Sequence, residues 1–132
     1  AKRNSERLRI LVAEDVEINQ QIVVEMVELL GHEVDIASNG QIAVAKYASS
    51  QYALIFMDCQ MPVMDGYEAS RQIRELESKQ GSEHVPIVAL TAGSDPEDKK
   101  RCKLAGMDGY RVSGYSAYFF YGYNRRNKPL GD

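Results

Sequence analysis

Four polar residues stand where apolar runs end. Glu14 and Asp15 follow Leu8-Arg9-Ile10-Leu11-Val12-Ala13, Asp58 follows Ala53-Leu54-Ile55-Phe56-Met57, and Thr91 closes Val85-Pro86-Ile87-Val88-Ala89-Leu90. If the first and third of these runs are neighbouring strands, all four residues meet at one sheet edge. Three carboxylates in one small pocket repel one another, and either shift their pKa values or move apart. A hard divalent cation resolves the conflict, because Mg²⁺ takes oxygen ligands, accepts a few carboxylates and keeps several waters. Beside such a cation a phosphoryl group can be positioned against a nucleophilic carboxylate, and a threonine hydroxyl can donate a hydrogen bond to it. Any one acid alone reads as a helix cap or a solvated loop residue, with Asp15 a cap for the next helix. Three acids and a threonine together at strand ends read as a site.

The elements that must position these residues alternate between short apolar runs and longer amphipathic stretches. After the first run, Ile18, Ile22, Val23, Met26, Leu29 and Leu30 recur at helical spacing, and Gly31 can close that helix. Val34-Asp35-Ile36-Ala37 is a short strand. Asn39-Gly40 reads as a helix start or a turn, followed by Ile42, Ala43, Val44 and Tyr47 on one face. The unbroken run at 53–57 fits a strand covered on both faces. Asp65-Gly66-Tyr67-Glu68 reads as a capping box, with Ile73 and Leu76 on the helix it starts. Asp95 then Pro96 opens a further helix through Leu104 that closes near Gly106. Strand–helix units in succession predict an α/β fold, a three-layer doubly wound parallel sheet whose ligands bind outside the carboxyl ends of the strands.

Size and composition agree with one such domain. The chain has 132 residues, 44% of them hydrophobic and 27% charged, with a net charge of −3. That balance gives no electrostatic reason for direct nucleic-acid binding. No apolar stretch approaches the roughly 18 residues of a membrane span, so no membrane contact by this domain is expected. Residues 1–9 lack the apolar core of a signal peptide. Cys59 and Cys102 have no metal-type spacing and are too few for a disulfide framework, so a reducing, cytoplasmic setting is expected.

Val12-Ala13-Glu14-Asp15, the run Met57-Asp58-Cys59-Gln60-Met61-Pro62-Val63-Met64-Asp65-Gly66, Ala89-Leu90-Thr91-Ala92 and Ala105-Gly106-Met107-Asp108-Gly109-Tyr110 resemble, in order, the motifs of the receiver domain of two-component response regulators. The resemblance spans about Leu8 to Tyr110. Its wording is most similar to receivers fused to hybrid sensor histidine kinases, so the parent chain is expected to be one, with any membrane anchor elsewhere. It implies the flavodoxin-like receiver fold, with Asp58 as the phosphoacceptor served by a histidine kinase or a histidine phosphotransfer domain. It implies Mg²⁺ held by Glu14, Asp15, Asp58 and the backbone carbonyl of Gln60. Thr91 would bind the phosphoryl oxygen, Tyr110 would be the aromatic that changes rotamer with it, and Pro62 and Gly66 would shape the loop after the acceptor. An isolated domain of this kind transfers a phosphoryl group to itself and is not otherwise an enzyme.

The chain departs from that pattern after Val112. The family continues with Lys-Pro, whereas Ser113-Gly114 stand here, and the lysine that pairs with the phosphoryl group is missing at its expected place. Lys128-Pro129 resembles the missing pair, displaced downstream. One reading is an aromatic insertion of about fifteen residues that returns Lys128 to the pocket; the preferred one is unrelated sequence, from a frameshift or a junction. The domain is therefore assigned to 1–113 and an atypical C-terminal segment to 114–132. Seven of the eleven aromatics lie between Tyr110 and Tyr123. Tyr115, Tyr118, Phe119 and Tyr123 sit at helical spacing, while Phe119, Tyr121 and Tyr123 fit a strand equally well. Without the usual last helix, an uncovered apolar face predicts lowered stability or a homodimer through this segment. Val16 is a second departure, beside the pocket, where asparagine is common in this subtype.

Other residues have plainer readings. His32 and His84 read as surface or loop residues, Cys59 as a packing residue, and Glu97-Asp98-Lys99-Lys100-Arg101 as a solvated helix face. Two rival functions follow. A pseudo-receiver would bind partners without being phosphorylated, which the missing lysine favours and the intact acids oppose. An aspartate-nucleophile phosphatase needs a second acid two residues after the nucleophile, where Gln60 stands, or an added cap domain for which there is no room.

Overall fold

The computed structural model describes residues 7–91, 95–112 and 119–120, and of Thr91, Arg111, Val112, Phe119 and Phe120 the backbone alone. Strands β1 (Arg9–Ala13), β2 (Glu33–Ala37), β3 (Leu54–Asp58), β4 (Ile87–Thr91) and β5 (Gly109–Val112) alternate with helices α1 (Glu17–Leu29), α2 (Gly40–Ser49), α3 (Gly66–Gln80) and α4 (Pro96–Leu104). The sheet order is β2-β1-β3-β4-β5, all parallel, and a two-residue strand β6 (Phe119–Phe120) pairs antiparallel with β5 at the edge. The order reverses between β1 and β3, which is the switch point at which such sheets open a crevice for ligands. β6 resolves the helix-or-strand ambiguity at residues 119–120 in favour of a strand. Ser113, Lys128 and the rest of the C-terminal segment lie outside the described residues, as does any dimer contact through it.

Side chains of each strand alternate between two cores, as the period of two requires. Leu11, Ala13, Ile55, Met57, Ile87 and Ala89 face α2, α3 and α4, meeting Ala43, Tyr67, Ala69, Ile73 and Cys102. Ile10, Val12, Phe56, Val88 and Leu90 face α1, meeting Val23 and Val27. Among the described residues α1 is the one helix on that second face. The apolar face expected for α1 is accordingly corrected. Ile18 and Ile22 are half-exposed and Leu29 is 87% exposed, because a single helix seats only its central stripe on the sheet.

The helix ends follow local chemistry with two corrections. Asn39 caps α2 by accepting from the Ile42 amide at 2.8 Å, and Asp95 caps α4 by accepting from the Glu97 amide at 2.9 Å. Asp65 caps α3 through the Glu68 amide at 2.8 Å. The return half of the capping box is absent, because Glu68 turns outward to Arg71 and Gln72. The N-cap of α1 is Val16, with no side-chain cap, so Asp15 does not serve as one. Gly31 and Gly81 follow α1 and α3 with φ of +88° and +66°, in the left-handed region that glycine occupies without strain. No helix of the described residues is long and apolar enough to cross a membrane.

Ser70, fully buried on α3, has a hydroxyl without a hydrogen-bond partner among the described residues. Desolvating that group without compensation costs free energy, so Ser70→Ala is expected to stabilise the domain by up to about 1 kcal/mol in urea denaturation. A loss of stability of that size would show that the hydroxyl is paired.

Candidate functional site

β1 and β3 are neighbours in register, with Ala13 opposite Met57, so the residues leaving their carboxyl ends share one edge. Glu14, Asp15 and Asp58 each offer a carboxylate oxygen there, all within 4.8 Å of one another. Glu14 is buried, Asp58 half-buried and Asp15 exposed. The Glu14 carboxylate accepts from the Val16 amide at 2.9 Å, and its backbone carbonyl accepts from the Gln20 side chain at 2.7 Å. Asp58 accepts from the Gln60 amide at 3.2 Å. The start of α1 and the loop after β3 therefore orient two of the three acids through main-chain donors.

Burial pushes the Asp58 carboxyl up to about 7, against the Gln60 amide and with the charges of Glu14 and Asp15 adding to it. Burial likewise raises Glu14, which shares a hydrogen bond with Asp58. Without a cation, burial and mutual repulsion thus oppose ionisation of Glu14 and Asp58 together. The donor set suits a hard divalent ion: octahedral Mg²⁺ at about 2.1 Å per bond places its ligand oxygens roughly 3–4 Å apart, within the spread of these three. Gln60 sits on the same loop, two residues past Asp58.

That loop is pinned at several points. The Gly66 amide donates to the Cys59 carbonyl at 3.1 Å, and the Gly40 amide, at the start of α2, donates to the Met64 carbonyl at 2.9 Å. The Met64 amide donates to the Pro62 carbonyl at 2.7 Å around Val63, whose φ is +71°. A β-branched residue in that region costs about 1–2 kcal/mol. Neither spacing nor composition signals this strain; only the closure of the loop on itself imposes it.

Thr91 ends β4 one residue beyond Leu90, which lies opposite Asp58 in the register, so its backbone reaches the same edge. Its side chain is outside the described residues. Tyr110, on β5 opposite Ala89, is buried, with the Lys99 ammonium 5.0 Å from its ring centroid. Arg101 stacks over Tyr67 at 4.2 Å. The run at 97–101 is largely exposed, as a solvated helix face should be, while two of its cations, Lys99 and Arg101, also lie on aromatic rings. His84 is exposed as expected, yet its Nε2 lies 2.6 Å from Asp108 Oδ1, and His32 Nδ1 accepts from the Leu8 amide at 3.2 Å.

A family model described as the response regulator receiver domain matches residues 10–112. Hybrid signal transduction histidine kinase B of Dictyostelium discoideum is 43% identical over 120 residues, covering 83% of this chain and 6% of that protein, so the chain spans a small part of such a relative. Among solved structures, the receiver domain of sensor histidine kinase PA1611 from Pseudomonas aeruginosa, with a magnesium ion coordinated in its active-site cleft, is 37% identical. It superposes with a TM-score of 0.75, over 84% of this chain and 88% of that one. The receiver domain of Ssk1 from Saccharomyces cerevisiae, crystallised with the histidine phosphotransfer protein Ypd1, is 36% identical with a TM-score of 0.78, over 83% and 81%. With the switch point between β1 and β3, the three acids beside it and a family match over most of its length, this chain belongs to the response regulator receiver domains of two-component phosphorelays.

Proposed function

We propose that this receiver takes a phosphoryl group onto Asp58 from the phosphohistidine of a histidine kinase or a histidine phosphotransfer domain. Glu14, Asp15, Asp58 and the backbone carbonyl of Gln60 would hold Mg²⁺ for the transfer. The supporting observation is the convergence of three carboxylate oxygens within 4.8 Å at the switch point. The magnesium-bearing and phosphotransfer-bound relatives agree with it.

The chemistry asks for positioning and charge neutralisation more than for covalent assistance. An Asp58 carboxylate oxygen bonds to phosphorus in line as the histidine N–P bond breaks, and the imidazole leaves with the electron pair. The Gln60 amide fixes the rotation of the Asp58 carboxylate before the transfer. Glu14 is held by the Val16 amide, so its oxygen does not have to be reorganised. A metal bound there supplies the positive charge that the phosphoryl oxygens require. Thr91 is assigned the hydrogen bond to the phosphoryl oxygen, and Tyr110 the rotamer change that follows. We read the domain as cytoplasmic, as a phosphoacceptor rather than an enzyme with turnover, and as part of a hybrid sensor kinase.

The test is intact mass after incubation with Mg²⁺ and acetyl phosphate. The parent is expected to gain one phosphoryl group, Asp58→Asn none, and chelation of the metal should abolish the gain. An adduct that survives in Asp58→Asn would refute the assignment. Ser113, in place of the pocket lysine, favours a second reading, a pseudo-receiver that binds partners unphosphorylated. An unmodified parent that still binds a phosphotransfer domain would establish that reading instead.

A further inference from the structure

Cys59 and Cys102 stand 43 positions apart in sequence, yet their sulfurs lie 3.7 Å apart. Both side chains are buried, at 4% and 1% exposure, and neither is in a disulfide. Cys59 is the residue after Asp58, and its amide donates to the Leu90 carbonyl at 3.2 Å, so it belongs to the end of the acceptor strand. Cys102 is the one buried residue of α4. A disulfide requires the sulfurs to close by about 1.6 Å more, to roughly 2.05 Å.

We propose that Cys59 and Cys102 form a reversible intramolecular disulfide that fastens α4 to the end of the acceptor strand under oxidants of the peroxide class. The balance is complete with hydrogen peroxide. Two S–H bonds and the O–O bond break, one S–S bond forms, the sulfurs are oxidised by two electrons, and both peroxide oxygens leave as water. In the docked position both thiols are shielded from solvent, so access comes through α4. That helix is nine residues long with a single buried side chain and Leu104 76% exposed, and among the described residues Arg101 over Tyr67 and Lys99 over Tyr110 also hold it. An element with so few apolar contacts among the described residues belongs to the low-stability end of a domain and opens locally. On reclosing, the two sulfurs meet with no other cysteine to compete. A reducing setting leaves the pair as thiols, so the link records exposure to oxidant rather than serving as a permanent staple.

The inference does not depend on phosphorylation of Asp58, and its test stands apart from the one above. The folded chain is treated with hydrogen peroxide, denatured in an alkylating reagent and mapped without reduction. Expected are loss of both alkylatable thiols, a mass lower by two hydrogens, and one peptide joining the Cys59 and Cys102 segments. All should revert with dithiothreitol. Amide exchange across α4 is expected to slow by about tenfold in the oxidised form, since opening is what exchange reads. Cys102→Ser should leave no internal link. Separate sulfinic acids on each cysteine, a link formed only after denaturation, or α4 exchange unaltered in the linked protein would each overturn the proposal.

Discussion

Gly66→Ala is expected to slow phosphorylation by about a hundredfold and to cost about 3 kcal/mol of stability. A Cβ at Gly66 would overlap the Asp58 carbonyl oxygen and stand 2.9 Å from both the carbonyl carbon of Asp58 and Met57 Cγ. The obstacle is backbone at the end of β3, so no side-chain rotation relieves it. Lifting the start of α3 would break the 3.1 Å bond from the Gly66 amide to Cys59 and disturb the Asp65 cap. Shifting β3 instead would carry Asp58 out of the cluster, and a displacement of about 1 Å at a reacting group costs roughly a hundredfold in rate. Chemical denaturation reads the first effect and the initial rate with acetyl phosphate the second. Gly81→Ala separates the site from the fold. Nothing lies within 4 Å of a Cβ there, so only the strain of its left-handed backbone is felt and phosphorylation should be unchanged. A Gly66→Ala protein that is phosphorylated at the parent rate would show that the loop can retreat without moving the acceptor.

Glu77→Ala is expected to destabilise the domain by about 3 kcal/mol, because it removes one of the two carboxylates that hold a mostly buried guanidinium and the acceptor of a buried amide. Glu77, its side chain 7% exposed, binds Arg74 through both oxygens at 2.9 and 3.0 Å and accepts from the Val85 amide at 2.7 Å. Arg74 also reaches the Gly106 carbonyl and Asp108, each at 2.8 Å, and Asp108 accepts from the Ile87 amide. One network thus ties α3, the start of β4 and the turn before β5 at the end of the sheet remote from the acids. The loss of Glu77 would leave Arg74 to Asp108 and the Gly106 carbonyl, and would deprive the Val85 amide of its acceptor in a poorly solvated place. The exposed pair of Arg9 with Glu33 is the natural control, because truncating Glu33 removes a contact that water replaces. Urea denaturation distinguishes the two. An unfolding free energy for Glu77→Ala within about 1 kcal/mol of the parent would mean that solvent reaches Arg74 readily.

Much of the architecture was legible because it rests on local pattern. Period-two and period-3.6 hydrophobicity, Asn39, Asp65 and Asp95 as caps, and glycine after α1 and α4 mark the elements wherever they pack. The unbroken run at 53–57 announced a strand covered on both faces, and Phe56 and Met57 do enter opposite cores. The acids were legible as a group once β1 and β3 were taken as neighbours. The misreadings came where packing chose among residues that look alike in sequence. Ile18 and Ile22 match Val23 and Val27 in character, but only the latter pair meets the sheet. Glu68 has the type and spacing of a capping partner, but Arg71 and Gln72 lie closer to hand on the same exposed face.

Residue type and order by themselves determined that this chain alternates strand and helix and carries its acids and threonine at strand ends, since a side chain's period and a cap's hydrogen bond involve only near neighbours. Tertiary structure alone decided which ends adjoin, that Val63 is strained, that Glu77 and Asp108 grip Arg74, and that two cysteines 43 positions apart touch. Those facts depend on the crossing of distant segments, and no local periodicity records which distant residues will share a place.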